Sequence, residues 1–199
     1  MNQFLVSIQR IDKYLNADEI DENCISHNDN IKSPVVIENG SFAWFKGDPP
    51  VLTNISLSAG KKKLVAVVGQ VGSGKSSLLS AILGDMEKVK GSVNTNGRVA
   101  YVPQQAWVQN ETVKQNILFA NDYNEIYYKR VLESCALEQD LKVLAAGDLT
   151  EIGEKGINLS GGQKQRVSLA RAVYANADIY LMDDPLRYVD QSIARLISN

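Results

Sequence analysis

Residues Gly69-Gln70-Val71-Gly72-Ser73-Gly74-Lys75-Ser76 fit the pattern G-x-x-x-x-G-K-[ST], which calls for a strand that turns through glycine directly into a helix. The apolar run Leu64-Val65-Ala66-Val67-Val68 precedes it and predicts a buried strand, and Ser77 to Leu83 follows with helical spacing. Glycines in such a turn let backbone N–H groups point inward around a phosphate, and the helix N-terminus adds its dipole there. Gly69 to Ser77 are therefore candidate contacts for a nucleoside triphosphate. Lys75 is placed to reach the β- and γ-phosphates and Ser76 to offer its hydroxyl to Mg2+. The plainer alternative is a glycine-rich turn before an ordinary helix.

Eight residues do not separate kinases, GTPases, motors and transporters. A second segment narrows the field. Leu159-Ser160-Gly161-Gly162-Gln163 opens a helix that runs to Tyr174. Ser160 suits an N-cap, and Gly161 and Gly162 keep the first amides bare of side chains, which makes another anion-binding helix start. A third segment, Ile179-Tyr180-Leu181-Met182-Asp183-Asp184, reads as an apolar strand ending in two carboxylates, the arrangement that sets an acid beside Mg2+.

With these three segments in this order, the sequence resembles the nucleotide-binding domain of an ABC transporter. The LSGGQ pentapeptide at Leu159–Gln163 is that family's signature. The stretches Tyr101–Asn110, Thr150–Gly156 and Asp183–Asp190 are similar to the first nucleotide-binding domain of the C subfamily, the multidrug-resistance-associated group. The resemblance covers roughly 34–199. It implies an α/β fold: a P-loop NTPase core with a mainly parallel sheet, an N-terminal antiparallel β portion and a helical subdomain over about 105–158.

The resemblance also implies roles. Trp44, thirty-one residues before Lys75, stands where an aromatic ring stacks on adenine; a packed core tryptophan is the rival reading. Gln104 stands where the family's glutamine touches Mg2+ or the attacking water, and its amide can both accept and donate. Trp107 stands near where a transmembrane coupling helix docks, with an ordinary structural tryptophan as the alternative. Asp183 is the expected magnesium carboxylate. Asp184 occupies the general-base position, where active members carry glutamate; it is one methylene shorter, which should slow the step. Ser160, Gly161, Gly162 and Gln163 reach to the γ-phosphate held by a partner domain. Two departures stand out. Arg187 and Tyr188 replace small residues before Val189-Asp190, and the switch histidine expected some thirty-odd residues after Asp183 has no counterpart in a chain that ends at Asn199. The sheet is accordingly expected to be incomplete at its C-terminal side.

At 199 residues the chain is long enough for one well-buried domain, and 44% hydrophobic with 22% charged residues is an ordinary globular composition. A net charge of −2 gives no reason to expect a nucleic-acid partner, and Lys61-Lys62-Lys63 reads as a solvated turn. Cys24 and Cys135 match no metal spacing and suit a reducing compartment. No window reaches the ~20 apolar residues of a membrane span.

Phe4, Leu5, Ile8, Ile11 and Leu15 recur at helical period, so 1–16 predicts an amphipathic helix, either docked on its own domain or, as the resemblance implies, leaving a transmembrane domain. Asp18 to Lys32 is acidic and aperiodic, a linker in which His27 is expected to be exposed and idle. Residues 1–33 thus form a connection and 34–199 the domain. Strands are predicted over Val35–Phe45 and Val51–Ser58, a hairpin-like pair over Gly91–Val102, and helices between Asn110 and Leu144.

The expected function is ATP binding, with Mg2+, and ATP hydrolysis alongside a second nucleotide-binding domain in a head-to-tail sandwich. It would power export of organic anions or xenobiotics at the cytoplasmic face of a membrane, through transmembrane domains that this chain lacks. The alternatives are a regulatory module that holds ATP without turning it over, and a short product with no activity of its own. A GTPase is disfavoured because no Asn-Lys-x-Asp motif occurs, and a chromosome-maintenance ATPase head because no coiled-coil heptads do.

Overall fold

The structure, a computed structural model, describes residues 2–16, 19, 21–153 and 158–185. Two sheets and two apolar clusters organise it. Strands β1 (Val35–Ala43), β2 (Leu52–Ala59) and β3 (Glu87–Thr95) make an antiparallel sheet in the order β2-β1-β3. Strands β4 (Val99–Val102) and β5 (Ile179–Met182) make a parallel pair, with Val99 opposite Ile179 and Val102 opposite Met182.

The register of β1 has a physical cause. Ile37 and Phe42 are both buried, yet an odd spacing would put them on opposite faces of a regular strand. A bulge at Asn39–Gly40, with Asn39 left-handed at φ 48°, adds the residue that returns Phe42 to the inner face. Opposite the bulge, Gly91 sits at φ +85°, and a Cβ there would fall on the Asn39 and Glu38 carbonyl oxygens. Gly91→Ala is therefore expected to cost about 2 kcal/mol or more, read as a lower urea midpoint at unchanged slope. An unchanged midpoint would contradict this account of the bulge.

Helix α2 (Lys75–Leu83) lays Ser77, Ala81 and Ile82 against this sheet. Its C-terminus closes through Gly84 at φ +88°, with the Gly84 and Asp85 amides both donating to the Ser80 carbonyl. Ile179 and Leu181 of β5 belong to the same cluster. The second cluster joins β4 to α3 (Val113–Leu118), α4 (Glu125–Ser134), α5 (Glu138–Val143) and α6 (Gly161–Tyr174). Thr112, Asn124 and Ser160 cap α3, α4 and α6 through their side-chain oxygens.

Four expectations change. Leu64–Val68 is not a buried strand: Leu64 is 68% and Val68 88% exposed, and the segment pairs with no strand among the described residues. Its apolar side chains predict a strand, but a strand forms only where a neighbour takes its amides, and among the described residues β5 pairs with β4 alone. The α/β fold class holds, and among the described residues its parallel portion is the two strands β4 and β5. Gly91–Val102 is not a hairpin either. β3 joins β1 while β4 joins β5, because the turn between them is tied elsewhere: the Arg98 amide donates to Asp178 and its guanidinium to the Ala175 and Asn176 carbonyls. The linker is not featureless, since Glu22–Cys24 forms a 3-10 turn with Cys24 buried. Nor is His27 idle, although it is exposed: its Nδ1 lies 2.9 Å from the Thr95 carbonyl.

The N-terminal helix α1 (Asn2–Leu15) leaves Phe4, Leu5, Ile8, Ile11 and Leu15 in solvent, so its apolar stripe is not docked on this domain among the described residues. No helix of the described residues is long and apolar enough to cross a membrane.

Candidate functional site

The phosphate loop is built by close approach. Gly72 and Gly74 stand at φ +81° and +89°, a conformation that side-chain-bearing residues rarely adopt. A Cβ on Gly74 would come within 2.9 Å of Leu52 Cδ2, and one on Gly69 within 2.7 Å of Ser73 Oγ. The Ser73 amide closes the turn on the Gln70 carbonyl at 3.2 Å, while Val71 is fully exposed at its tip. Gly74 is the N-cap of α2 and supplies no side-chain acceptor, so the first amides of that helix stay open to an anion. Lys75 folds back, its Nζ donating to the Gly69 carbonyl at 3.0 Å and the Gln70 carbonyl at 2.8 Å. The ammonium is thus satisfied by the loop's own carbonyls. Ser76 is exposed at the helix start and Ser77 buried beneath it.

The parallel register brings two more candidates to one edge. Gln104 lies two residues past Val102 and Asp183 one past Met182, and those two strand ends are paired. Both therefore leave the carboxyl end of the sheet, where open α/β folds bind ligands. The Asp183 amide is held by the Val102 carbonyl at 2.9 Å. Burial raises the Tyr101 hydroxyl pKa, and the nearby Asp183 and Asp85 carboxylates raise it further. Asp184 follows with a left-handed backbone at φ 49°, a conformation aspartate tolerates better than most residues. Trp44 lies just past β1 and is 44% exposed, so it is not a core tryptophan.

The signature segment is placed by the other cluster. Ser160 Oγ accepts from the Gln163 amide, and Gln163 Oε1 accepts from the Ser160 amide, a reciprocal cap. Gly162 is half-buried, whereas a Cβ on Gly161 would meet nothing within 4 Å. Among the described residues nothing requires glycine at Gly161, and the space where a Cβ would stand is open. Because Leu159 and α6 pack in one cluster and α2 in the other, Ser160 and Lys75 are carried by different apolar cores.

Three supporting residues were not singled out from the sequence. Asp140 on α5 takes a two-pronged ion pair from Arg166 on α6, at 2.6 and 2.8 Å, with both side chains largely buried. Its Oδ1 also accepts from Gln163 Nε2 at 3.3 Å. Asp140 therefore fixes which way the Gln163 amide faces, and through it the Ser160 cap. Arg166 sits three residues after Gln163, one helical turn, and that spacing was the one available signal. Arg171, farther along α6, lies 4.3 Å over the Trp107 ring and 5.2 Å over Phe119, and donates to the Asn116 carbonyl and side chain. Trp107 is thus both half-exposed and anchored. A cleft of about 970 Å3 opens beside it, lined by Ala106, Gln109, Glu111, Asn158 and Lys164 among others.

The segment Glu154–Gly156 and the segment Leu186–Asp190, with Arg187 and Tyr188, lie outside the described residues.

The ABC transporter family model matches residues 52–187, which include the phosphate loop, Gln104, the signature and both carboxylates. The chain belongs to the ABC transporter family. It is 56% identical over 200 residues to ATP-binding cassette sub-family C member 3 of Rattus norvegicus, covering 99% of this chain and 13% of that protein. To sub-family C member 2 of Homo sapiens it is 52% identical over 199 residues, covering 100% and 13%. ABC transporter C family member 8 of Dictyostelium discoideum is 53% identical over 193 residues, covering 96% and 12%. The chain is an ABC domain of the C-subfamily type, and it spans 13% of the length of the first two relatives.

Proposed function

We propose that this ABC domain is an ATP-binding half-site of a C-subfamily transporter, and that its signature segment serves a nucleotide held by a second such domain. The observation that carries the reading is the pair of bare helix starts on separate cores: α2 behind an all-backbone loop with Lys75 folded into it, and α6 behind Ser160 with open space at Gly161. ATP displaces the Lys75 ammonium from its own carbonyls, and the freed cation turns to the β- and γ-phosphates. Trp44 stacks on the adenine, by analogy with nucleobase stacking worth about 1–3 kcal/mol.

The donors at the sheet edge suit Mg2+. The ion prefers hard oxygen ligands, few protein carboxylates and substrate phosphates; Gln104 and Asp183 at that edge offer an amide and one carboxylate, and Ser76 at the start of α2 a hydroxyl. Mg2+ bound there would neutralise charge on the phosphates. Asp184 is the candidate base for the attacking water, with a shorter reach than glutamate gives. The domain's partners are a second nucleotide-binding domain, arranged head to tail, and transmembrane domains whose coupling helices seat beside Trp107. The site then works at the cytoplasmic face of a membrane, and the cargo would be an organic anion or xenobiotic.

Phosphate release tests the reading. The purified chain alone is expected to release phosphate from MgATP slowly, and to do so faster when mixed with a second ABC domain that carries glutamate at the base position. A rate that the partner leaves unchanged would favour the alternative, a module that holds ATP without turning it over; the short reach of Asp184 is the observation behind that alternative.

A further inference from the structure

We propose that Ser26 is a phosphorylation site for an acid-directed serine/threonine kinase, and that its phosphate releases the segment 21–28 from the edge of β3. The proposal is independent of the ATP-binding reading.

That segment is a strap. Ser26 pairs with Asn94 as a parallel bridge on the free edge of β3: the Ser26 amide donates to the Val93 carbonyl at 2.9 Å, and the Thr95 amide to the Ser26 carbonyl at 3.0 Å. Lys88 Nζ holds the Cys24 carbonyl at 2.7 Å. Cys24 itself is buried, its thiol directed at the carbonyl of Gly84, the residue that ends the phosphate-loop helix. The strap therefore connects α1 to the far end of α2.

Ser26 is the weak point of the seam. Its hydroxyl carries one proton and faces two acceptors, the Val93 carbonyl at 3.0 Å and Asn94 Oδ1 at 2.8 Å. Asn94 Oδ1 is fixed as an acceptor because the Asn28 amide also donates to it at 2.8 Å. That orientation leaves Asn94 Nδ2, in a side chain only 3% exposed, without a partner. The residue is nonetheless exposed to an enzyme. Ser26 is also the one serine or threonine in the chain with an acidic residue three positions on, Asp29, and Asp18, Glu19, Asp21 and Glu22 precede it. A kinase with a basic peptide groove fits that pattern and no other hydroxyl here.

In the transfer, Ser26 Oγ attacks the γ-phosphorus of the kinase's MgATP. The new O–P bond forms as the bond to the β,γ-bridging oxygen breaks, the hydroxyl proton passes to the kinase's base, and ADP leaves. The product has no proton to donate and sets a dianion against two oxygen acceptors, in a segment whose sequence is already acidic. Repulsion and lost hydrogen bonding both favour release.

Cys24 reports the outcome. Burial raises its thiol pKa, so alkylation is slow while the strap is seated; Cys135, wholly buried in the other cluster, is the internal control. The full chain is treated with casein kinase 2 and MgATP, or with MgATP alone, and phosphate and iodoacetamide adducts are mapped by mass spectrometry. Phosphate is expected on Ser26, lost in Ser26→Ala and reduced at least about fivefold in Asp29→Asn. Cys24 should alkylate about tenfold faster in the phosphorylated chain and in Ser26→Glu, as expected for local opening, with Cys135 unchanged. No phosphate on Ser26 overturns the site. Phosphate with an unchanged Cys24 rate, or with Cys135 accelerated equally, overturns the release.

Discussion

Replacing Lys75 with alanine is expected to reduce photolabelling by an azido-ATP analogue to about a hundredth or less at sub-saturating analogue. The wild-type ammonium lies on the Gly69 and Gln70 carbonyls, and in the proposed site it transfers from them to phosphate oxygens. Hydrogen bonds to charged groups contribute about 1.5–3 kcal/mol each, and about 1.4 kcal/mol is tenfold in affinity, so losing contacts to two phosphates is enough. The same change should leave the melting temperature nearly untouched, because among the described residues the Lys75 ammonium bonds to its own loop. Labelling that survives in a folded Lys75→Ala chain would end the claim that this loop grips the triphosphate.

The second large effect concerns the brace behind the signature segment. Arg166→Leu strands Asp140, a carboxylate whose side chain is only 15% exposed, with no guanidinium to answer it. Removing one partner of such a pair costs about 3–5 kcal/mol, whereas removing both is far milder. For a chain of this size we expect a melting temperature lower by about 6–20 °C. The double change Asp140→Leu with Arg166→Leu should recover most of that loss. If the double variant melts as low as the single, the ion pair is not what holds α5 to α6.

Sequence and structure agree where local chemistry decides. Ser160 reads as a cap because its hydroxyl needs only the amide three residues on, and that bond is present. Gly72 and Gly74 read as a glycine turn into a helix, and both take positive φ. The agreement fails where a residue depends on a distant partner. Leu64–Val68 has the composition of a strand, but composition cannot supply the neighbour that takes its amides. The turn at Asn96-Gly97 has hairpin chemistry, yet the Arg98 contacts to Asp178, Ala175 and Asn176, some eighty residues away, send its two flanks to different sheets. Asp140 and Arg166 are 26 positions apart, and the one local signal, the helical-turn spacing of Arg166 from Gln163, does not point to Asp140. His27 looked idle for the same reason: its partner, Thr95, is remote in sequence.

Backbone amide NMR of the chain during titration with MgATP tests the central claim most directly. The account predicts saturable shifts concentrated in Gly69–Ser77, with smaller ones at Trp44, Gln104 and Asp183, and no such shifts in Lys75→Ala. Shifts that avoid the loop, or a spectrum that MgATP leaves unchanged, would contradict it.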